Sequence, residues 1–242
     1  MAENKVKVAA STGNAEVDQA LDKARDFWDR FSKPIIYVST ALILILGSWW
    51  AYNNFYKIPR QEKAEEMIFP AERLFDGMAK TAGYNKDSVN LVLNGDANKN
   101  ITGLLKIISN YGSTPAGSRA KLKAARCYMF NKDYNNALKY LKDIPSLKST
   151  QVQAVVYSLM GDAYGELKQL DEAYSYYQKA ANVNDKDDFE AAEALYKAGR
   201  TAEQLGKNDD AISIYKKIRD NYPNSSHAAE MDKYLARLGV IQ

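Results

Sequence analysis

Residues 157–180, YSLMGDAYGELKQLDEAYSYYQKA, decide the fold, because they recur in altered form at 195–218, LYKAGRTAEQLGKNDDAISIYKKI. Aligned on alanine, the chain yields units centred on Ala137, Ala173 and Ala211, spaced 36 and 38 residues apart. The middle unit reads Tyr157, Met160, Gly161, Tyr164, then Ala173, Tyr177 and Ala180. The third reads Leu195, Ala198, Gly199, Ala202, then Ala211, Tyr215, Ile218 and Pro223, and the first reads Ala124, Ala125, Tyr128, then Ala137, Leu141 and Ile144. Self-similarity at this period marks stacked helix pairs. Small residues at Ala125, Ala137, Gly161, Ala173, Gly199 and Ala211 let two helices approach closely. Tyr164, Tyr177 and Tyr215 supply bulk between neighbouring helices. No unit buries its apolar face alone, so stacking makes the core. Asp171 and Asp209 open second helices, where acid complements the helix dipole. Pro223 ends the third unit, and the extra residues between units fall at Pro145–Thr150 and Val183–Asp188.

The pattern resembles the tetratricopeptide repeat, two antiparallel helices with small residues at their close approach, and it places repeats at 116–150, 151–188 and 189–225. Upstream, Ile101, Leu104, Ile107 and Ile108 precede Asn110-Tyr111-Gly112-Ser113, echoing the end of the third unit. Residues 57–115 are therefore expected to hold a long helix (Arg60–Thr81), an insertion loop (Ala82–Lys99, with a short helix at Ser88–Leu93) and a degenerate repeat helix at 100–111, mated to the long helix. Residues 226–242 read as a capping helix, Ser226–Leu238, with Met231, Tyr234 and Leu235 covering the last repeat.

Residues 34–56, PIIYVSTALILILGSWWAYNNFY, carry no charge. At a rise of about 1.5 Å per residue they reach about 34 Å, enough for a hydrocarbon core of about 30 Å. A cleavable signal has a short basic leader and a small-x-small site. Here 33 residues precede the stretch and it ends in Trp49-Trp50-Ala51-Tyr52, so a retained anchor is expected. Trp49, Trp50 and Tyr52 would lie at one headgroup layer and Tyr37 at the other. Residues 14–33 read as an amphipathic helix, with Val17, Leu21, Ala24, Trp28 and Phe31 on one face, able to lie in the headgroup layer. Residues 1–13 read as a disordered tail. Gly47 and Ala51, with Thr40 a heptad earlier, form a small-residue face that permits close helix packing. The flanking charges are balanced: Lys23, Arg25, Arg30 and Lys33 face Lys57, Arg60, Lys63 and Arg73. The count favours neither orientation. The expected class is thus all-α, a single N-terminal transmembrane helix followed by a tetratricopeptide-repeat solenoid.

Composition excludes several functions. The 33 Lys and Arg against 30 Asp and Glu give a net charge of +3, and the signs are mixed along the helices, which argues against a nucleic-acid partner. One cysteine, Cys127, and one histidine, His227, permit no internal disulfide and too few ligands of this kind for zinc. Cys127 reads as a small buried residue and His227 as a surface residue. No catalytic cluster and no phosphate-cradling glycine loop is present, and Asp187-Asp188 and Asp209-Asp210 sit where capping explains them. No catalytic residue, cofactor, metal or small-molecule substrate is expected.

A short N-terminal helix, one span near residue 35, a long helix and a few repeats together resemble the ancillary SecYEG translocon subunit family (YfgM-like). Leu93-Asn94-Gly95-Asp96, Gly103-Leu104-Leu105-Lys106-Ile107-Ile108 and Tyr111-Gly112-Ser113-Thr114-Pro115-Ala116-Gly117 are similar to the stretch before the repeats in bacterial members. The resemblance implies a bacterial inner-membrane protein, N-terminus cytoplasmic and repeats periplasmic. Its implied partners are the SecYEG translocon, periplasmic chaperones and client polypeptides, with the lipid bilayer around the anchor. A single cysteine is compatible with an oxidising periplasm. The alternatives are a signal-anchored import receptor with cytosolic repeats reading targeting peptides, or a scaffold of another envelope assembly or secretion complex. The expected protein-binding positions are on the first helices: Leu122, Arg126, Met129 and Phe130; Ser158, Asp162 and Glu166; Tyr196, Arg200 and Glu203. Exposed Met, Phe and Tyr among mixed charges suit apolar or amphipathic partners. Asn100-Ile101-Thr102 and Asn224-Ser225-Ser226 match the N-glycosylation triplet, and Asp87-Ser88-Val89 resembles an O-glycosylation motif in an expected loop.

Overall fold

The structure is a computed structural model that describes residues 12–81 and 83–240, with side chains from Val17 onward. Residues 1–11, most of the expected tail, lie outside the described residues; Thr12 and Gly13 are already helical. The described chain forms two compact units divided at Pro59/Arg60.

The first unit is dominated by one helix, α1 (Thr12–Tyr52), which runs through Pro34. Proline removes a backbone donor and its ring crowds the carbonyl four residues back. A single lost hydrogen bond is tolerated within an otherwise apolar helix, and α1 continues across it. A π-helical turn, Asn53–Lys57, follows. α1 is long and apolar enough to cross a membrane, and Ile43, Leu44, Ile45, Leu46, Trp49 and Trp50 are all exposed.

From Arg60 onward the second unit begins within α2 (Ile58–Thr81), which buries Ala64, Ile68, Ala71, Phe75 and Met78 at spacings of three and four. α3 (Lys86–Asn94) is capped by the Asn85 side chain accepting from Ser88 N–H at 2.8 Å. A two-residue hairpin, β1 (Gly95–Asp96) with β2 (Ile101–Thr102), pairs Gly95 with Thr102 and Asp96 with Ile101. The expected 100–111 helix is therefore shorter: α4 spans Leu104–Tyr111, because Asn100 takes a left-handed backbone (φ 53°) and Ile101 enters a strand. Asp87-Ser88-Val89 lies in the first turn of α3 rather than in a loop, with Val89 fully buried.

Three helix pairs follow: α5 (Pro115–Phe130) with α6 (Tyr134–Lys142), α7 (Thr150–Glu166) with α8 (Leu170–Val183), and α9 (Asp188–Gln204) with α10 (Asn208–Asn221). The first helices are capped by Thr114, Ser149 and Asp187, whose side chains accept from the first-turn N–H groups. α10 stops before Tyr222-Pro223. A 3-10 turn (Ala228–Glu230) leads into α11 (Met231–Arg237), which buries Met231 and Leu235.

The apolar interior forms two clusters. One joins α2, α3 and α4 to Ala116, Ala120, Ala124 and Cys127 of α5. The other runs from Ala125 through the helix pairs to Leu235. α5 supplies both, and Tyr128 packs against each. α2 is held to α5 by Arg119 bonding to Glu65 and Glu72, and by Lys123 bonding to Asp76 at 2.6 Å. The Arg119 guanidinium holds the Glu65 carboxyl below its ordinary range.

The small residues mark close approaches of a particular kind. A Cβ on Gly161 would stand 2.5 Å from Cε1 of Tyr177, and one on Gly199 would stand 2.5 Å from Cε1 of Tyr215. Each tyrosine ring thus lies flat on the glycine backbone of its own repeat. Ala125, Ala137, Ala173 and Ala211 are fully buried, and Tyr164 stacks on Tyr176 with centroids 5.4 Å apart.

Candidate functional site

An open groove of about 440 Å³ crosses all three helix pairs. Met129 comes from α5 and Tyr134 from the first turn of α6. Asp162, Gly165, Glu166 and Tyr177 belong to α7 and α8, with Lys168 in the turn between them and Leu170 opening α8. Thr201 and Gln204 belong to α9. Tyr134 reaches the next repeat, its hydroxyl donating to Glu166 Oε2 at 3.1 Å. Lys168 sits in a left-handed conformation (φ 62°) that turns the chain between α7 and α8.

Two polar ladders run between successive elements, the first bringing Asp162 and Tyr177 into the groove lining. Tyr177 donates its hydroxyl to Asp162 Oδ1 at 2.8 Å, and Lys197 Nζ from α9 binds the same carboxylate at 2.9 and 3.1 Å. Burial and the nearby Asp162 carboxylate push the Tyr177 phenol well above its ordinary value. One repeat further, Tyr215 donates to Glu203, which also receives Arg237 of α11 at 2.6 and 2.7 Å. Burial, then the bond to Glu203, raises the Tyr215 phenol likewise.

Of the positions expected from the sequence, Met129, Asp162 and Glu166 meet in the groove. Tyr196, Arg200 and Glu203 are instead engaged by the C-terminal segment. Tyr196 shares a 2.8 Å hydrogen bond with the Tyr234 hydroxyl, stacks on His227 at 4.2 Å and accepts from Arg200 at 3.0 Å. His227, expected as a plain surface residue, also bonds Glu193 at 2.6 Å. Ser158 lines a separate depression of about 140 Å³ with Phe189 and Glu193. Leu122 is half-buried against the repeat core, Arg126 is exposed, and Phe130 stacks on Tyr84 at 5.2 Å. The expected set lacks Tyr134, Lys168 and Leu170, which come from a turn and second helices, and also Gly165, Thr201 and Gln204 of the first helices α7 and α9. The signal for Tyr134 and Leu170 is their equivalence as the residues that open α6 and α8.

Cys127 is fully buried, and burial pushes its thiol up to about 12. Among the described residues no three His, Cys, Asp or Glu side chains converge as metal ligands.

Residues 152–224 match one tetratricopeptide repeat family model and residues 119–146 match a second. Residues 119–146 and 152–224 are thus similar to tetratricopeptide repeats, in keeping with the helix pairs that they form. Superkiller complex protein 3 of Homo sapiens is 33% identical over 104 residues, 43% of this chain and 6% of that protein. Tetratricopeptide repeat protein 37 of Xenopus laevis is 32% identical over 107 residues, 44% of this chain and 7% of that protein. The chain therefore spans a small fraction of these relatives' length. The crystal structure of MamA protein superimposes with a TM-score of 0.50 at 21% identity, covering 73% of this chain and 85% of that one. That likeness is one of fold. Tetratricopeptide repeats are typically non-enzymatic scaffolds for protein–protein interaction, and no catalytic family is indicated.

Proposed function

We propose that the chain is a membrane-anchored scaffold, held by Pro34–Tyr56, whose groove takes up a segment of a protein partner. The observation that carries this reading is the groove itself, which draws side chains from three successive helix pairs and mixes Met129 and Leu170 with Glu166 and Lys168. Such a lining suits an amphipathic segment: apolar side chains find the methionine and leucine, and polar ones find the carboxylate and ammonium groups. The aromatic exposure at Trp49, Trp50, Tyr52, Phe55 and Tyr56 supports an anchor that ends at a headgroup layer.

The arrangement of anchor, long helix and repeats, similar to ancillary SecYEG translocon subunits, supports a bacterial inner membrane with the repeats in the periplasm. There the groove would receive emerging envelope proteins and pass them to periplasmic chaperones. Two experiments test this. A photo-crosslinking residue at Met129 or Gln204, in native membranes, should capture translocon subunits, chaperones or envelope proteins; adducts confined to unrelated soluble proteins would end the proposal. Ser113 is exposed, so a Ser113→Cys chain should be labelled in intact cells by a membrane-impermeant maleimide. Protection in intact cells, with labelling after lysis, would favour the cytosolic import-receptor reading.

A further inference from the structure

Tyr128 and Tyr140 stack with centroids 5.5 Å apart and planes 10° from parallel, and Tyr164 and Tyr176 do the same at 5.4 Å and 13°. The two pairs occupy equivalent places, nine residues before and three residues after Ala137 and Ala173 respectively. The third repeat has Ala202 and Ile214 at those places, so the stacked rungs belong to the first two repeats.

Lysine side chains are drawn onto these rings. Lys139 Nζ lies 5.6 Å from the Tyr140 centroid, Lys142 Nζ 5.3 Å from that of Tyr164, and Lys179 Nζ 4.4 Å from that of Tyr176. Lys142 belongs to α6 and Tyr164 to α7, so this cation links the two rungs across the repeat boundary. The electron-rich face of a phenol ring attracts an ammonium group and holds its flexible stem in place. A cation positioned in advance loses less side-chain freedom when a partner arrives.

What these lysines lack is acid. All three are exposed, and among the described residues none has a carboxylate within ion-pair distance. Asp143, next to Lys142 in the chain, is bound to Lys121 at 2.8 Å. A carboxylate reaching Lys142 or Lys179 therefore gains a charge-assisted hydrogen bond without displacing an internal acid, and the rings beside it supply apolar contact. Each ring of the second rung already carries the other ring and an ammonium group, which leaves little face for a nucleic-acid base. The large hydrophobic side chains exposed on the second unit, Phe69, Phe130, Val152 and Phe189, do not belong to the rungs, so the rungs offer a bilayer no inserting side chain.

We propose that the two tyrosine rungs, with Lys139, Lys142 and Lys179, form a second interaction surface that receives an acidic segment of a protein partner. The surface shares no side chain with the lining of the groove, so it stands whether or not the groove is filled.

The test is fluorescence anisotropy of a labelled oligoglutamate peptide added to the full chain in phosphatidylcholine nanodiscs. The unsubstituted chain should bind the peptide, and less tightly as salt rises. Lys142→Glu with Lys179→Glu should weaken binding at least about tenfold, whereas Lys142→Arg with Lys179→Arg should retain it. Lys142→Gln with Lys179→Gln, which removes charge without reversing it, should weaken it in the same direction but less. Lys80→Glu with Lys106→Glu changes the net charge equally, at exposed positions on α2 and α4, and should cost less than about twofold. Failure of the unsubstituted chain to bind, or equal losses from the two reversals, would overturn the proposal. So would tighter binding, dependent on Lys142 and Lys179, to phosphatidylglycerol vesicles or to oligothymidylate, which would assign the surface to a membrane or to nucleic acid instead.

Discussion

Gly199 and Gly77 are both helical glycines, and the structure predicts that replacing each by alanine shifts stability in opposite directions. At Gly77 an added methyl group meets nothing within 4 Å. Only the helix preference of alanine over glycine acts there, and it should stabilise by about 1 kcal/mol. At Gly199 the new Cβ would stand 2.5, 3.0 and 3.1 Å from Cε1, Cζ and Cδ1 of Tyr215. A relaxed carbon contact is about 3.5–4.0 Å, so the ring must retreat by about 1 Å. Tyr215 is fully buried and its hydroxyl is bonded to Glu203, so retreat strains neighbours and the bond together. Overpacking costs about 1–3 kcal/mol and the hydrogen bond contributes about 1 kcal/mol. Against the alanine gain of about 1 kcal/mol, the net loss is about 1–3 kcal/mol. Urea unfolding of the full chain in mild detergent, followed by helical circular dichroism, measures both variants. The strongest check is a cycle with Tyr215→Ala: once the ring is gone, Gly199→Ala should become stabilising, giving a coupling of at least about 2 kcal/mol. Gly199→Ala stabilising the unaltered chain as much as Gly77→Ala does would refute the ring-on-glycine account of the repeat.

Lys197→Met should destabilise by about 1–2 kcal/mol, because the half-buried Asp162 loses its ammonium partner while retaining only Tyr177; the partial exposure of both groups keeps the figure below that of a sealed pair. The raised phenols of Tyr177 and Tyr215 predict alkaline sensitivity. The native state holds these protons more tightly than the unfolded chain, so their contribution is whole below a pH of about 10 and is lost as pH rises towards the folded values. A Tyr177→Phe/Tyr215→Phe chain should flatten that decline in urea midpoint above pH 10, and an unchanged slope would count against it. Cys127, with its thiol pushed up to about 12, should resist iodoacetamide at pH 8 in the native chain and react in denaturant, as followed by intact mass.

Much of the helical architecture is legible because the repeat places a small residue wherever a bulky one must lie against backbone. Gly161 with Tyr177 and Gly199 with Tyr215 show the device twice, each pair separated by sixteen residues. The hairpin Gly95–Asp96/Ile101–Thr102 is not legible in the same way: two-residue strands carry no alternation of apolar and polar residues to read. Pro34 lies inside α1 all the same, because one missing hydrogen bond does not end a helix of that length. For the groove, equivalence between repeats picks out Met129, Asp162 and Glu166 among its lining residues but assumes that every repeat faces the same neighbour. After α9 and α10 the next element is α11 rather than another pair, and it brings Tyr234 and Arg237 to Tyr196 and Glu203. Phe130 departs similarly, since the segment after α2 offers Tyr84 as a stacking partner that no other repeat possesses.

These departures bear on where a partner can bind. The Tyr177–Asp162–Lys197 and Tyr215–Glu203–Arg237 bonds engage these six side chains with one another, so these groups offer little hydrogen-bonding capacity to another protein. Glu166 is different. It is exposed, and among the described residues it has the Tyr134 hydroxyl but no ion-pair partner. A ligand that brings a basic group to Glu166 gains a charge-assisted bond without displacing an existing cation. The apolar half of the same contact comes from Met129 and Leu170 on either side. The contact proposed for the groove is therefore expected at the junction of the first two repeats, while α11 packs against the third. A second consequence concerns rigidity. α5 gives Ala124 and Cys127 to one core cluster and Ala125 to the other, so it cannot turn about its axis without opening both. Met129 projects from that doubly held helix, so its backbone position is set by the core while its unbranched side chain remains free to adapt to what lies in the groove.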